Sequence, residues 1–162
     1  MVKGKGAIMS KWLTLAFLIV VVDQATKALA LALLQYNEPV SVLPFIDFTL
    51  LYNTGAAFSF LANNAYAHYV LTLLAMVVSA GIIFILTRNR PKTDTSCALA
   101  LILGGALGNL IDRLRFGCVV DYIDIYIRSY HWPAFNIADA AISIGALLLC
   151  LASLKSTDRA AS

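Results

Sequence analysis

The chain has 162 residues, 60% of them hydrophobic and 13% charged, with a mean hydropathy of +0.81. That balance excludes an ordinary soluble domain and points to a bilayer, where lipid covers the apolar exterior and one compact bundle suffices. A formal charge of +3 gives no reason to expect a nucleic-acid partner, and its placement reads instead as a topology signal.

In chain order, Trp12 to Gln35, Tyr69 to Thr87, Thr95 to Arg115 and Asn136 to Leu154 are predominantly apolar, each near the ~20 residues that cross a hydrocarbon core. The fold class expected is an all-α membrane protein with four transmembrane helices, forming a single domain over residues 1–162. Ala28-Leu29-Ala30 after a basic start mimics a signal-peptide cleavage site. Three further spans need a topology signal at the front, so an uncleaved first helix is expected.

Within that first span Asp23 and Lys27 stand four apart, acid before base, on one helix face in the favourable orientation for an ion pair. A charge at a helix centre costs about 2.5–3.5 kcal/mol on insertion scales. The pair therefore neutralises itself or anchors a neighbouring polar centre.

The segment Tyr36 to His68 has no Lys or Arg. Val40-Ser41-Val42 and Phe48-Thr49-Leu50-Leu51-Tyr52 are strand-like, and Asn53-Thr54-Gly55 offers a turn. A small extracytoplasmic β element is predicted over about residues 38–62, between helices 1 and 2. It is too small to fold alone and should rest on the bundle or at the lipid interface, which suits Phe45, Phe48, Phe58, Phe60 and Tyr66.

In the third span Gly104 and Gly108 allow close helix approach, and Asn109, Asp112 and Arg113 follow along one inward strip, more suited to scaffolding than to direct chemistry. Lys3, Lys5, Lys11, Arg88, Arg90, Lys92, Lys155 and Arg159 fall outside the spans on the side of the two termini, which are therefore expected in the cytoplasm. Arg113, Arg115 and Arg128 run against this pattern at the outer end of the third span.

Asp121, in Val119-Val120-Asp121-Tyr122, and Asp139, in Phe135-Asn136-Ile137-Ala138-Asp139, flank the connection between the antiparallel third and fourth helices. Singly, Asp121 reads as a loop aspartate and Asp139 as a first-turn acid behind an Asn136 N-cap. Together at the outer end of a polar groove they could share a proton, because carboxylates about 3 Å apart do not both ionise easily, and so activate water. Spacing alone leaves Asp124 as a competitor of Asp121. Cys97, Cys118 and Cys150 are scattered without C-x-x-C spacing, and His68 and His131 lack ligand spacing, so neither a disulfide set nor a metal or cofactor site is expected.

The sequence resembles the lipoprotein signal peptidases, or signal peptidase II, from Lys11 to Leu154. The resemblance runs through Asp23-Gln24-Ala25-Thr26-Lys27, Asn53-Thr54-Gly55-Ala56-Ala57-Phe58, Gly108-Asn109-Leu110-Ile111-Asp112-Arg113, Val120-Asp121 and Phe135-Asn136-Ile137-Ala138-Asp139. It implies that Asp121 and Asp139 are catalytic and Asp124 is not, and that Asp23, Lys27, Asn53, Gly55, Asn109, Arg113 and Asn136 support or line the site. It implies a prolipoprotein substrate whose cysteine carries a diacylglyceryl group, cut on the amino side of that cysteine at the outer face of the bacterial inner membrane. Membrane lipid and cyclic peptide antibiotics of the globomycin type are the other implied partners. The basic stretch before Met9 is atypical of the family, and initiation at Met9 would leave the enzyme intact.

Two rival readings use the same residues. A transporter or channel subunit would run ions past Asp23, Lys27, Asp112 and Arg113, but the chain lacks paired halves and its polar groups crowd toward one membrane face. A Ser/Lys peptidase would use Lys27 as base and Ser41 or Ser59 as nucleophile, yet Asp23 favours the charged form of that lysine.

Overall fold

The structure, a computed structural model, describes residues 3–55, 66–89 and 91–161. The helices are α1 (Lys3–Leu33), α2 (Ala67–Phe84), α3 (Thr93–Phe116) and α4 (Ile137–Ala161), with a π-helical turn, Ile85–Asn89, extending α2. Four segments, Ser10–Leu33, His68–Asn89, Thr93–Phe116 and Ile137–Lys155, are long and apolar enough to cross a membrane. They match the predicted spans to within a few residues, the usual uncertainty of helix ends. Phe58, Phe60, Ser59 and Arg90 lie outside the described residues.

Helix α3 is the hub of the bundle, packing against α1, α2 and α4. Its membrane span is 61% buried, against 17–22% for the other three, so α3 meets protein on most sides while its neighbours meet lipid on most of theirs. Small residues make this possible. A Cβ on Gly104 would come within 2.8 Å of the Ala16 carbonyl oxygen in α1, and one on Gly145 within 2.8 Å of the Ala98 carbonyl oxygen. A Cβ on Gly105 would collide with the Ala138 carbonyl in α4. Backbone approach through such residues is how helices pack where lipid offers no competing hydrophobic drive. Around them Ala16, Ile82, Leu86, Leu99 and Leu103 form the apolar core.

The β structure is larger than expected. Strands β1 (Val40–Leu43) and β2 (Ile46–Asn53) follow α1, whereas β3 (Val119–Ile127) and β4 (Tyr130–His131) follow α3, and together they form one antiparallel sheet in the order β1-β2-β3-β4. The expectation of an otherwise all-α protein, with its β element confined to the connection between helices 1 and 2, is therefore corrected. The reading of Asp121 as a loop residue is corrected with it. Gly117, in a left-handed conformation (φ 73°), caps α3 by donating its N–H to the Arg113 carbonyl and turns the chain straight into β3.

Strand β2 pairs with β3 in the register Leu51 opposite Asp121 and Asn53 opposite Val119, with an irregularity between Phe48 and Leu51. Of the aromatic residues predicted at the interface, Phe45 and Tyr66 are exposed, while Phe48 is half-buried edge-on to Tyr122.

Candidate active site

The sheet and the bundle meet where α3 ends and α4 begins. There the sequence leaves ionisable groups almost wholly buried: Asp23 is 0% exposed, Asp112 1%, Lys27 2% and Asp121 2%. Each has partners. Lys27 Nζ lies 2.9 Å from Asp23 Oδ2 and 2.7 Å from Asp112 Oδ2, and donates to Asn109 Oδ1 at 2.9 Å. The expected Asp23–Lys27 pair is thus one edge of a larger cluster, and Asp112, assigned a scaffold role, closes it. Three oxygens around Nζ match the three donors of an ammonium. Ser41 sits exposed on β1, whereas this nitrogen belongs to a buried side chain.

Asp121 projects from β3 on the face it shares with Asn53, its diagonal neighbour across the β2–β3 ladder. Asn53 Nδ2 donates to Asp121 Oδ2 at 3.0 Å, while its own Oδ1 accepts the Gly55 N–H at 2.8 Å. Gly55 has φ 121°, a conformation a side chain would resist, so this glycine holds the turn that orients Asn53. Burial, and then the charge of Asp139, push the Asp121 carboxyl from the ordinary value of 3.8 up to about 7, against the lowering hydrogen bonds from Asn53 and Asn136.

Asp139 sits in the first turn of α4, and Asn136 caps that helix as expected. Asn136 Oδ1 accepts the Asp139 N–H at 2.9 Å, and the Asn136 N–H reaches back to Asp139 Oδ2 at 3.4 Å, a reciprocal cap. The same Asn136 donates through Nδ2 to Asp121 Oδ1 at 2.7 Å, so one residue holds both acids. Asn109 Nδ2 donates to Asp139 Oδ1 at 2.7 Å. Arg113, half-buried, donates to the Asn109 carbonyl at 3.4 Å and lines the same cavity as Asp139.

Asp124 points elsewhere. Three residues along a strand reverse the side-chain direction, and Asp124 pairs with His131 Nδ1 at 2.9 Å on the far face of β3. Strand parity thus turns Asp124 away from the face that carries Asp121. Among the described residues no cluster of three or more His, Cys, Asp or Glu is arranged to hold a metal ion.

Beside the acids opens a cavity of about 870 Å³ between α2, α3 and α4. Asn53, Asn109, Arg113 and Asp139 form its polar end, while residues such as Leu71, Leu74 and Ile102 make its apolar wall. Such a space accepts a molecule with an apolar body and a polar, peptide-like end. Sequence reading missed Gln24 as a polar contributor and β3 as the carrier of Asp121. Gln24 lies one residue from Asp23 and donates to Asp112 Oδ1 at 2.8 Å. The β3 signal was visible in Val119–Ile127, a run dominated by Val, Ile and Tyr between Gly117 and Arg128.

The chain is similar to known proteins along most of its length. The family model described as Signal peptidase (SPase) II matches residues 15–155. The lipoprotein signal peptidase of Acinetobacter baylyi is 54% identical over 143 residues, covering 86% of this chain and 79% of the relative. That of Cupriavidus necator is 45% identical over 149 residues, covering 91% and 85%. A solved bacterial membrane enzyme superposes with a TM-score of 0.83 at 30% identity, covering 93% of this chain and 91% of its own. A match that includes every element of the bundle and sheet, the acids among them, leaves one assignment: this chain belongs to the signal peptidase II family.

Proposed function

We propose that this chain is a multi-pass membrane aspartic endopeptidase that removes the signal peptide from diacylglyceryl-modified prolipoproteins, cutting on the amino side of the lipidated cysteine. One observation carries the chemistry: Asn136 hydrogen-bonds both Asp121 and Asp139, and Asp139 lines the polar end of a largely apolar cavity. Asp121, raised to about 7, is the partner suited to hold a proton, to polarise the scissile carbonyl and to protonate the departing amine. Asp139, at a helix N-terminus that favours an anion, takes the proton of the attacking water. The two titrate as a coupled pair.

The acyl chains hold the substrate in the bilayer at about 0.8 kcal/mol per buried methylene, and search becomes two-dimensional. Asn53 and Gly55 orient the peptide beside Asp121, and Asn109 and Arg113 line its path. The whole chain acts as one integral domain of the bacterial inner membrane, with both termini cytoplasmic and the acids toward the periplasm. Cyclic peptide antibiotics of the globomycin type would occupy the same cavity.

The test is reconstitution of the purified protein in lipid with a lipid-modified prolipoprotein. Wild type should cleave it, spare the unlipidated form and be indifferent to metal chelation. Asp121→Asn and Asp139→Asn should each lose about 10²–10⁴-fold in kcat, the usual size of general acid–base catalysis. Wild-type rates in either variant would remove the dyad.

A further inference from the structure

We propose that Asp23, Gln24, Lys27 and Asp112 form a strut that sets the spacing of the two catalytic carboxyls, with Asp112 and Gln24 as positioning residues; this rests on the assignment of Asp121 and Asp139 as the dyad. The observation is a symmetry in the hydrogen bonding. Asp112 Oδ2 accepts the backbone N–H of Val120, the residue immediately before Asp121, at 3.1 Å. Asp23 Oδ1 accepts the backbone N–H of Ala138, the residue immediately before Asp139, at 2.9 Å. Each buried carboxylate thus grips the chain one residue ahead of one catalytic acid.

The two grips are tied to each other. Lys27 Nζ bridges Asp23 Oδ2 at 2.9 Å and Asp112 Oδ2 at 2.7 Å, and Gln24 Nε2 spans the same carboxylates, at 3.2 Å from Asp23 Oδ2 and 2.8 Å from Asp112 Oδ1. Gln24 also donates to the Gly108 carbonyl at 3.2 Å, fixing the strut to α3. The strut belongs to α1 and α3, whereas the acids it places belong to β3 and α4. It therefore converts helix packing into the separation of two groups that come from different parts of the chain.

A third link orients the acceptor side. Asn109 Oδ1 receives Lys27 Nζ at 2.9 Å and Asn136 Nδ2 at 3.2 Å. Two donors on that oxygen leave only the amide nitrogen to face Asp139 Oδ1. Lys27 thereby determines which end of Asn109 meets the acid. Asp23 and Asp112 act through the backbone N–H groups of Ala138 and Val120, Lys27 through Asn109, and Gln24 through the two carboxylates it spans.

Asp112→Asn keeps the side chain's shape but removes the charge that pulls on Lys27. Gln24→Leu leaves all three charges and removes the cross-tie. Displacing a reacting group by about 1 Å can cost about 10²-fold, so each variant should lose about tenfold or more in kcat per folded molecule. KM for the lipidated substrate should stay within about twofold, because the cavity lining is intact. The basic limb of the pH–rate profile should also move, since Asp121 is faced by Asp139 and Lys27, whose distances from it would change. Asp121→Asn and Asp139→Asn are run alongside. If those retain activity, the dyad assignment fails. If those are inactive while Asp112→Asn and Gln24→Leu match wild type in kcat and pH profile per folded molecule, the strut is overturned. Should Asp112→Asn not fold, Gln24→Leu decides alone.

Discussion

Asp121 is where the energetics of the site are most exposed to measurement. Its carboxyl moves from 3.8 to about 7 because burial, and then the charge of Asp139, disfavour the anion. An acid that must carry a proton to work is competent below its pKa, so kcat/KM should fall about tenfold per pH unit above about pH 7. Folding stability carries the same sign. The native state binds this proton more tightly than the unfolded chain, so the contribution is complete below about pH 4 and is lost as pH rises through about 7. Asp121→Asn should flatten that slope in thermal melts of the detergent-solubilised protein, and an unchanged slope would place the titration elsewhere. Lys27 has the opposite importance. With Asp23 and Asp112 both buried against it, Lys27→Met leaves two carboxylates uncompensated, a loss of about 3–5 kcal/mol in comparable buried pairs. A melting temperature equal to wild type would contradict that accounting.

At the level of elements, glycine positions on α3 decide how closely the bundle can close. A methyl group on Gly105 would meet the Ala138 carbonyl, and one on Gly108 would come within 2.5 Å of Asp23 Oδ2, the oxygen that holds Lys27. Gly105→Ala and Gly108→Ala should each destabilise by about 1–3 kcal/mol, as overpacking does. Gly81→Ala in α2 meets nothing within 4 Å and should be neutral or stabilising by up to about 1 kcal/mol. Melts of the three variants test the contrast, which vanishes if the helices are free to separate. The close approach at Gly104 and Gly108 could be read from the sequence because small residues in an apolar span have few other uses. The Asp23–Lys27 pair and the Asn136 cap were equally legible, since both are local patterns within one or two turns of helix. Strand β3 was not read, although Val119–Ile127 carries strong strand signals, because its partner β2 lies some 70 residues earlier, and the segment resembled a mere connection between spans. The same distance hid that Asp121 and Asp124 lie on opposite faces of one strand.

For the whole molecule, element order places the sheet after the C-terminal ends of α1 and α3 and before the N-terminal ends of α2 and α4. Lys11, Arg88, Lys92 and Lys155 stand at the opposite ends of the membrane-spanning segments. Arg113, Arg115 and Arg128 sit on the sheet side, but Arg113 is turned inward on the Asn109 carbonyl and Arg115 lies over the Phe116 ring, so neither is a free loop charge of the kind that retains a segment in the cytoplasm. The proposed orientation, in which the acids, the cavity's polar end and the sheet face the periplasm, rests on those basic ends. A reporter that fluoresces only in the cytoplasm, fused after Ser162, should be bright, and a phosphatase active only in the periplasm should be silent there. The same phosphatase inserted at the exposed β3–β4 turn, Arg128-Ser129, should be active. The reverse pattern would put the dyad on the cytoplasmic face, where a substrate anchored by acyl chains in the outer leaflet could not reach it, and proteolysis of lipidated precursors would have to be reassigned.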